Sequence, residues 1–251
     1  MAESDSHHAP RPRLPPLVPG IYNYCDSRCA RCRFSQRCLT HLASERSTRG
    51  EPDDDVCEQI IRERDPDWRE PPQAWLDLLS DANDRCKEME ADEQVQSALA
   101  AYDLAIERAR ADRLVVAARH YTSAAWNVAR ALESLVGSRS DPVVIEAVET
   151  IGELAGIIAS KTFRAISSSF DEHGEVFDLQ HDANGSAKVA RLAVAESKHA
   201  WYALMDAGRA VGDGVPAAMF RVLDELDAGL AARFPRAMEF VRPGFDTEPA
   251  P

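Results

Sequence analysis

Asp141–Ser169, DPVVIEAVETIGELAGIIASKTFRAISSS, is the stretch that decides the fold. Val144, Val148, Ile151, Ala155, Ile158, Thr162 and Ile166 recur at spacings of three and four, the repeat of one helix face. Asp141 ahead of Pro142 reads as an N-cap followed by proline at the first helical position, with Ser138–Ser140 as the preceding turn. Glu146, Glu153 and Arg164 fall opposite and read as a solvated edge. Beside the apolar face run Gly152, Gly156, Ala159 and Phe163, a mostly small stripe that suits close approach of a second helix. Glu146, Glu149 and Glu153 interrupt Val143–Ile158, so this most apolar stretch is no membrane span.

Working outward, similar periodicity predicts helices near 73–90, 93–111, 113–136, 186–209 and 215–232. The helix at 186–209 repeats the scheme with Ala190, Ala193, Ser197, Ala200 and Leu204. Long helices at 93–111, 113–136, 141–169 and 186–209 argue an all-α, antiparallel helical bundle. No strand-like alternation and no internal repeat interrupts it. Trp75, Trp126, Trp201 and Tyr202 read as core, and Trp68 as packing the N-terminal region on the bundle. The expected organisation is a disordered tail at 1–20, a cysteine segment at 21–42, and a polar linker at 43–72 with a short helix from Asp55 to Arg64. The bundle then occupies 73–240, and a disordered tail 241–251.

Charge is spread unevenly. Residues 1–50 carry eight Arg against four Asp or Glu, a balance of +4, which leaves −17 on the remaining 201 of a chain whose net charge is −13. A body that acidic repels phosphate backbones, so no nucleic-acid partner is expected. No basic amphipathic helix offers itself to a membrane surface. Met1–Gly20 is polar and proline-rich without the apolar core of a secretory leader, so the expected compartment is the cytoplasm. Twenty-five Arg against four Lys, with abundant alanine, fits a GC-rich bacterial genome.

Cytoplasmic thiols stay reduced, so clustered cysteines read as metal ligands before they read as disulfides. Cys25, Cys29, Cys32 and Cys38 lie within fourteen residues as C-x3-C-x2-C-x5-C. Deprotonated thiolates repel one another unless a cation holds them. Arg28, Arg31, Arg33 and Arg37 against Asp26 alone are expected to lower the thiol pKa values and to offset the charge of a thiolate centre. Structural zinc usually takes two ligand pairs separated by a dozen or more residues. Four thiols in one short loop instead match the packed ligand runs of cubane ferredoxins, which favours a [4Fe–4S] iron–sulfur cluster over zinc. His41, three residues past Cys38, reads as a helix-surface side chain that could replace a thiol. Cys57 and Cys86 have no partner spacing and read as ordinary thiols.

CARCRFSQRC, residues 29–38, resembles two known cluster-binding segments: the auxiliary-cluster extension of radical enzymes and the terminal cluster of certain CRISPR-associated exonucleases. The likeness covers those ten residues and neither enzyme body. The first three cysteines also match the spacing of radical S-adenosylmethionine enzymes. Against that, Arg31 stands where an aromatic is usual, Cys38 is available to close the open iron, and no alternating strands and helices follow. Over most of its length, with IYNYCDSRCARCRFSQRC early and HDANGSAKVA late, the chain resembles a set of bacterial proteins that carries no established activity.

Two further constellations bear on function. Glu196 and His199 form one E-x-x-H pair, where a di-iron bundle needs two and two more glutamates, so they read as helix surface. In His181–Lys188, Asn184-Gly185 reads as a turn and Ser186 as a helix cap, with Lys188 in the first turn against the helix dipole. A free helix N-terminus there would favour an anion, with Lys161, His181, Asp182, Ser186 and Lys188 as the candidate ligand site. Three functions follow as expectations. The first is a metal-binding protein with a redox or interaction role toward a protein or redox partner. The second is an enzyme or binder of anionic small molecules, and the third a zinc-stapled structural adaptor.

Overall fold

A computed structural model describes residues 14–50, 55–65, 69, 72–75, 77–78, 81–82, 92–135, 141–170, 178–208 and 214–247. Seven α-helices stand out in it: α1 Leu39–Thr48, α2 Val56–Arg64, α3 Glu93–Ala111, α4 Arg113–Leu135, α5 Pro142–Ser168, α6 Asp182–Asp206 and α7 Val215–Arg233. Among the described residues there is no strand, and no helix is long and apolar enough to cross a membrane. Trp68, Cys86, the turn at 138–140 and much of the helix expected at 73–90 lie outside the described residues.

α5 is the central helix and packs most extensively on α6 and α4. Its start is as the sequence dictates: Asp141 Oδ1 accepts the Val143 amide at 3.0 Å and Pro142 takes the first position. Val144, Val148, Ile151, Ala155, Ile158, Thr162 and Ile166 are all buried. The neighbouring small stripe receives α4. Thr122 Oγ1 donates to the Ala155 carbonyl at 2.7 Å and Trp126 Nε1 to that of Gly152 at 2.8 Å. On the other side α6 brings Ala187, Ala190, Ala193, Ser197 and Ala200, whose short side chains let the two backbones close up.

α7 closes the core with Met219, Leu223, Leu226 and Leu230 at helical spacing, so α4 to α7 make the packed body. α3 is the correction. Leu99, Tyr102 and Leu104 are about half exposed or more and, among its described side chains, only Ala109 is buried, so this helix lies at the periphery and α7 takes its place. The aromatic expectations divide in the same way. Trp201 is fully buried, its indole donating to Tyr121 Oη at 3.0 Å, and Tyr121 Oη in turn bonds Ser197. Trp75, Trp126 and Tyr202 are 65%, 45% and 58% exposed. Each has a polar atom or edge best left near water. Trp126 lies against Gly156 on the rim, and Tyr202 packs on Phe220 at 4.4 Å between ring centroids.

Among the described residues, the body's core contains none before Ala109. The N-terminal region has two small cores of its own. Leu42, Val56 and Ile60 join α1 to α2, while Ile21, Phe34 and Cys38 gather with Val18 and Phe245 beside the cysteines. α1 thus runs through the stretch expected to be polar linker. Structure also reaches into the stretches expected to be tails. Leu17 and Val18 pack on these cores, and 241–247 folds into a turn that covers the cysteine segment.

Candidate metal centre

Three short 3-10 turns, Ile21–Tyr24, Cys29–Arg31 and Ser35–Arg37, carry the cysteine segment. Gly20 enters the first at φ 70°, a conformation glycine reaches without cost. Asp26 Oδ1 accepts the Arg28 amide at 3.2 Å and so bends the loop through Ser27, which sits at φ 59°. Cys29, Ser35 and Cys38 follow in tight order, with Cys32 N donating to Cys29 O at 3.2 Å and Cys38 N to Ser35 O at 3.3 Å. The result is one narrow cavity whose lining residues include Cys25, Cys29, Cys32 and Cys38. His41 borders the same cavity, 3.7 Å from the Glu45 carboxylate. Cys57 is exposed on α2.

Burial pushes the Cys29 thiol up, and the thiols of Cys25, Cys38 and Cys32 push it further, so Cys29 lies within electrostatic reach of the other three. Burial raises the Cys32 thiol as well, against a lowering bond from the Phe34 amide to its Sγ at 3.4 Å. The expected lowering by arginines is therefore corrected. Arg28 and Arg31 point away to carboxylates on the body rather than across the thiols. As the side chains stand, no three His, Cys, Asp or Glu among the described residues form a group that could hold a metal ion. The Cys25 thiol is turned onto its own turn, donating to Tyr22 O at 3.4 Å.

The donor set still suits a soft metal centre: four thiols, an amide directed at one sulfur, and an apolar shell. Phe34 is almost fully buried, edge-on to Phe245 at 5.2 Å, with the Arg33 guanidinium 4.5 Å from its ring. Gly244, at φ 75°, brings the C-terminal turn down on this shell. A Cβ there would lie 3.0 Å from Ile21 Cδ1.

The residues proposed for an anion site turn out to be the socket that receives this segment. α6 begins at Asp182, four residues earlier than expected, capped by His181 Nδ1 accepting the Ala183 amide at 3.2 Å. Asn184-Gly185 is therefore helix and not turn. A Cβ at Gly185 would lie 2.7 Å from Phe240 Cζ and 2.8 Å from Tyr24 Cδ1, so glycine is needed for close approach of two rings. Tyr24 Oη donates to Asp182 Oδ1 at 3.0 Å, and burial beside that carboxylate pushes the phenol up to about 12.

Asp182 also takes Arg164 in two bonds, at 2.8 and 2.7 Å, and Ser168 at 3.0 Å. Burial raises its pKa, but these donors outweigh it and hold the carboxyl below the usual range. Ser186 is fully buried within the helix. Lys188 is buried too, donating to Phe240 O at 2.6 Å and Asp246 Oδ2 at 2.7 Å. With the helix starting at Asp182, Lys188 lies beyond the first turn, and the anion it pairs with belongs to this chain. Lys161 donates to Asn23 O at 2.6 Å, its pKa lowered by burial and by Arg164.

The solvated edge of α5 is the other half of the joint. Arg28, with a side chain 10% exposed, reaches Glu153 on α5 at 3.0 Å and Glu196 on α6, and donates to Thr150 Oγ1 at 3.3 Å. Arg31 spans Glu146 at 3.1 Å and Glu149 at 2.9 Å. Glu196 thus has an ionic role that E-x-x-H spacing did not suggest, while His199 stays exposed. The signal that could have revealed the joint was the charge split, +4 over residues 1–50 against −17 over the remaining 201. Comparison of the chain with protein-family models, with curated proteins and with solved structures gives no match.

Proposed function

We propose that Cys25, Cys29, Cys32 and Cys38 hold a metal centre, a [4Fe–4S] cluster, and that the protein presents it on a helical body for a redox or interaction role toward a protein partner. The observation that carries this reading is that all four cysteines line one cavity, with Cys57 outside it. Thiols that raise one another's pKa are stable as thiolates only with a cation between them. The metal supplies that charge when bound. This chain's part is to hold the sulfurs, to direct the Phe34 amide at Cys32 and to exclude water with Ile21, Phe34 and Phe245. A reducing compartment such as the cytoplasm suits free thiols. On this reading the body is an antiparallel bundle. The pairs Thr122–Ala155, Trp126–Gly152 and Arg164–Asp182 support it, since residue number rises on one helix as it falls on its neighbour.

Anaerobic purification with metal and sulfide analysis tests the proposal. A cluster gives a brown protein with four iron and four sulfide per chain, whose visible absorption bleaches on oxidation. One zinc in a colourless protein would replace the cluster by a structural staple. No metal at all would overturn the centre.

A further inference from the structure

We propose that the metal centre is a latch: its loading keeps the cysteine segment docked on the body, and its loss releases the segment while the body stays folded, with Arg28 as the residue that couples the two. This rests on the metal-centre reading. The division of cores carries it. The body's core holds no residue of the segment, and the segment's own core beside the cysteines amounts to three buried residues, Ile21, Phe34 and Cys38. So small a core needs a staple to stay ordered.

Apart from the Tyr24 ring packed on Phe240 over Gly185, what joins segment to body is polar: Arg28 to Glu153 and Glu196, Arg31 to Glu146 and Glu149, Asn23 to Lys161, and Tyr24 Oη to Asp182. Polar contacts of this kind let go into water without the cost of exposing a large apolar face. Arg28 stands at the junction, on the loop between Cys25 and Cys29 that borders the cavity, with its guanidinium between two helices of the body. A loop fixed by metal holds that side chain in place; a loop freed of metal need not. By linkage, docking strengthens metal retention by the same factor that metal strengthens docking. Release uncovers an acidic strip, Glu146, Glu149, Glu153 and Glu196, whose partners have left.

Limited trypsin digestion of the full-length protein reads the latch directly, because Arg28, Arg31, Arg33 and Arg37 are all cleavage sites within the segment. Metal content is measured first, which separates failure of the centre from failure of the latch. The metal-loaded protein should resist cleavage at 28–37. Chelator-treated protein and Cys29→Ser should be cleaved there roughly 5–150-fold faster, the usual span of a coupling between two sites. The helical circular dichroism and melting of the body should be retained. Arg28→Gln should keep all four thiols and full metal at saturation, yet be cleaved faster and surrender metal to chelator sooner. Arg28→Lys, which cannot bridge two carboxylates as a guanidinium does, should fall between.

Equal protection with and without metal would overturn the latch while leaving the centre intact. So would melting of the whole body on metal removal. Arg28→Gln with wild-type protection and metal retention would remove Arg28 from the coupling.

Discussion

Gly185→Ala puts the joint between segment and body to a quantitative test. In a helix interior this change normally gains about 0.8–1 kcal/mol, because alanine has less backbone freedom to lose. Here the added methyl would lie 2.7 Å from Phe240 Cζ and 2.8 Å from Tyr24 Cδ1. Neither ring can retreat freely: the two pack at 4.6 Å between centroids, and Tyr24 Oη is tied to Asp182 at 3.0 Å. Overpacking of this sort costs about 1–3 kcal/mol, which cancels or exceeds the helix gain.

Gly152→Ala is the matched control. It lies on α5 and its Cβ would meet Ala129 Cβ at 3.7 Å, an ordinary contact, so the full gain of about 1 kcal/mol should be realised. The two variants should therefore differ by about 1–3 kcal/mol, or roughly 2–12 °C in melting temperature for a chain of this size. Thermal melts and urea titrations of both proteins, prepared alike, make the comparison. If Gly185→Ala raises the melting temperature as much as Gly152→Ala does, Tyr24 and Phe240 are not packed on α6, and the account of the socket fails.

Other perturbations separate the ionic contacts by burial. Arg31→Ala should change stability by less than about 1 kcal/mol, since both its partners are half exposed or more. Lys188→Met should cost about 1–3 kcal/mol, because it leaves the Phe240 carbonyl unpaired and Asp246 with Arg242 alone, in a site where the lysine is 10% exposed. Burial raises the Asp246 carboxyl, but bonds from Arg242 and Lys188 outweigh it and hold it well below the usual range. Its contribution, like that of Asp182, is thus fully present above the unfolded value of about 4 and lost as pH falls through the folded one. Urea midpoints from pH 7 down to about pH 3 should decline with acid, and Asp182→Asn should start lower at pH 7 and decline less. A steeper acid decline in the variant would contradict the assignment. Cys29→Ser should abolish bound metal on elemental analysis while Cys57→Ser retains it, and equal loss in both would place the ligands elsewhere.

The helical body was legible because burial imposes a period. The buried face of α5 contains every residue that its spacing picked out, and the capping at Asp141 followed from local chemistry alone. The four cysteines could be picked out as one group because a thiol has few uses in a tight cluster, and all four line one cavity; the metal they would hold is the proposal. What spacing could not convey was partnership across long sequence separations. Glu146, Glu149 and Glu153 look like solvated charge on α5 until Arg28 and Arg31, more than a hundred residues earlier, are set beside them. Asn184-Gly185 carries the signature of a turn, and only the rings of Tyr24 and Phe240 show that this glycine serves for space rather than for positive φ.

Lys188 gives the reasoning its sharpest form. On a helix starting near Ser186, Lys188 would oppose the dipole in the first turn and suggest an anion. With α6 starting at Asp182 it lies beyond that turn, and what it meets is a partly buried carboxylate. The error lay in seeking the anion outside the chain. Asp246 supplies the charge, held on the turn that covers the cysteine segment, and Phe240 both receives the lysine through its carbonyl and packs its ring on Tyr24. One buried lysine therefore links the C-terminal turn to α6 beside the socket for Tyr24, one residue before the first thiol. The features that looked out of place on an isolated helix, an acidic edge, an unneeded glycine and a misplaced lysine, belong to a single joint. That joint sets where the four thiols sit on the body.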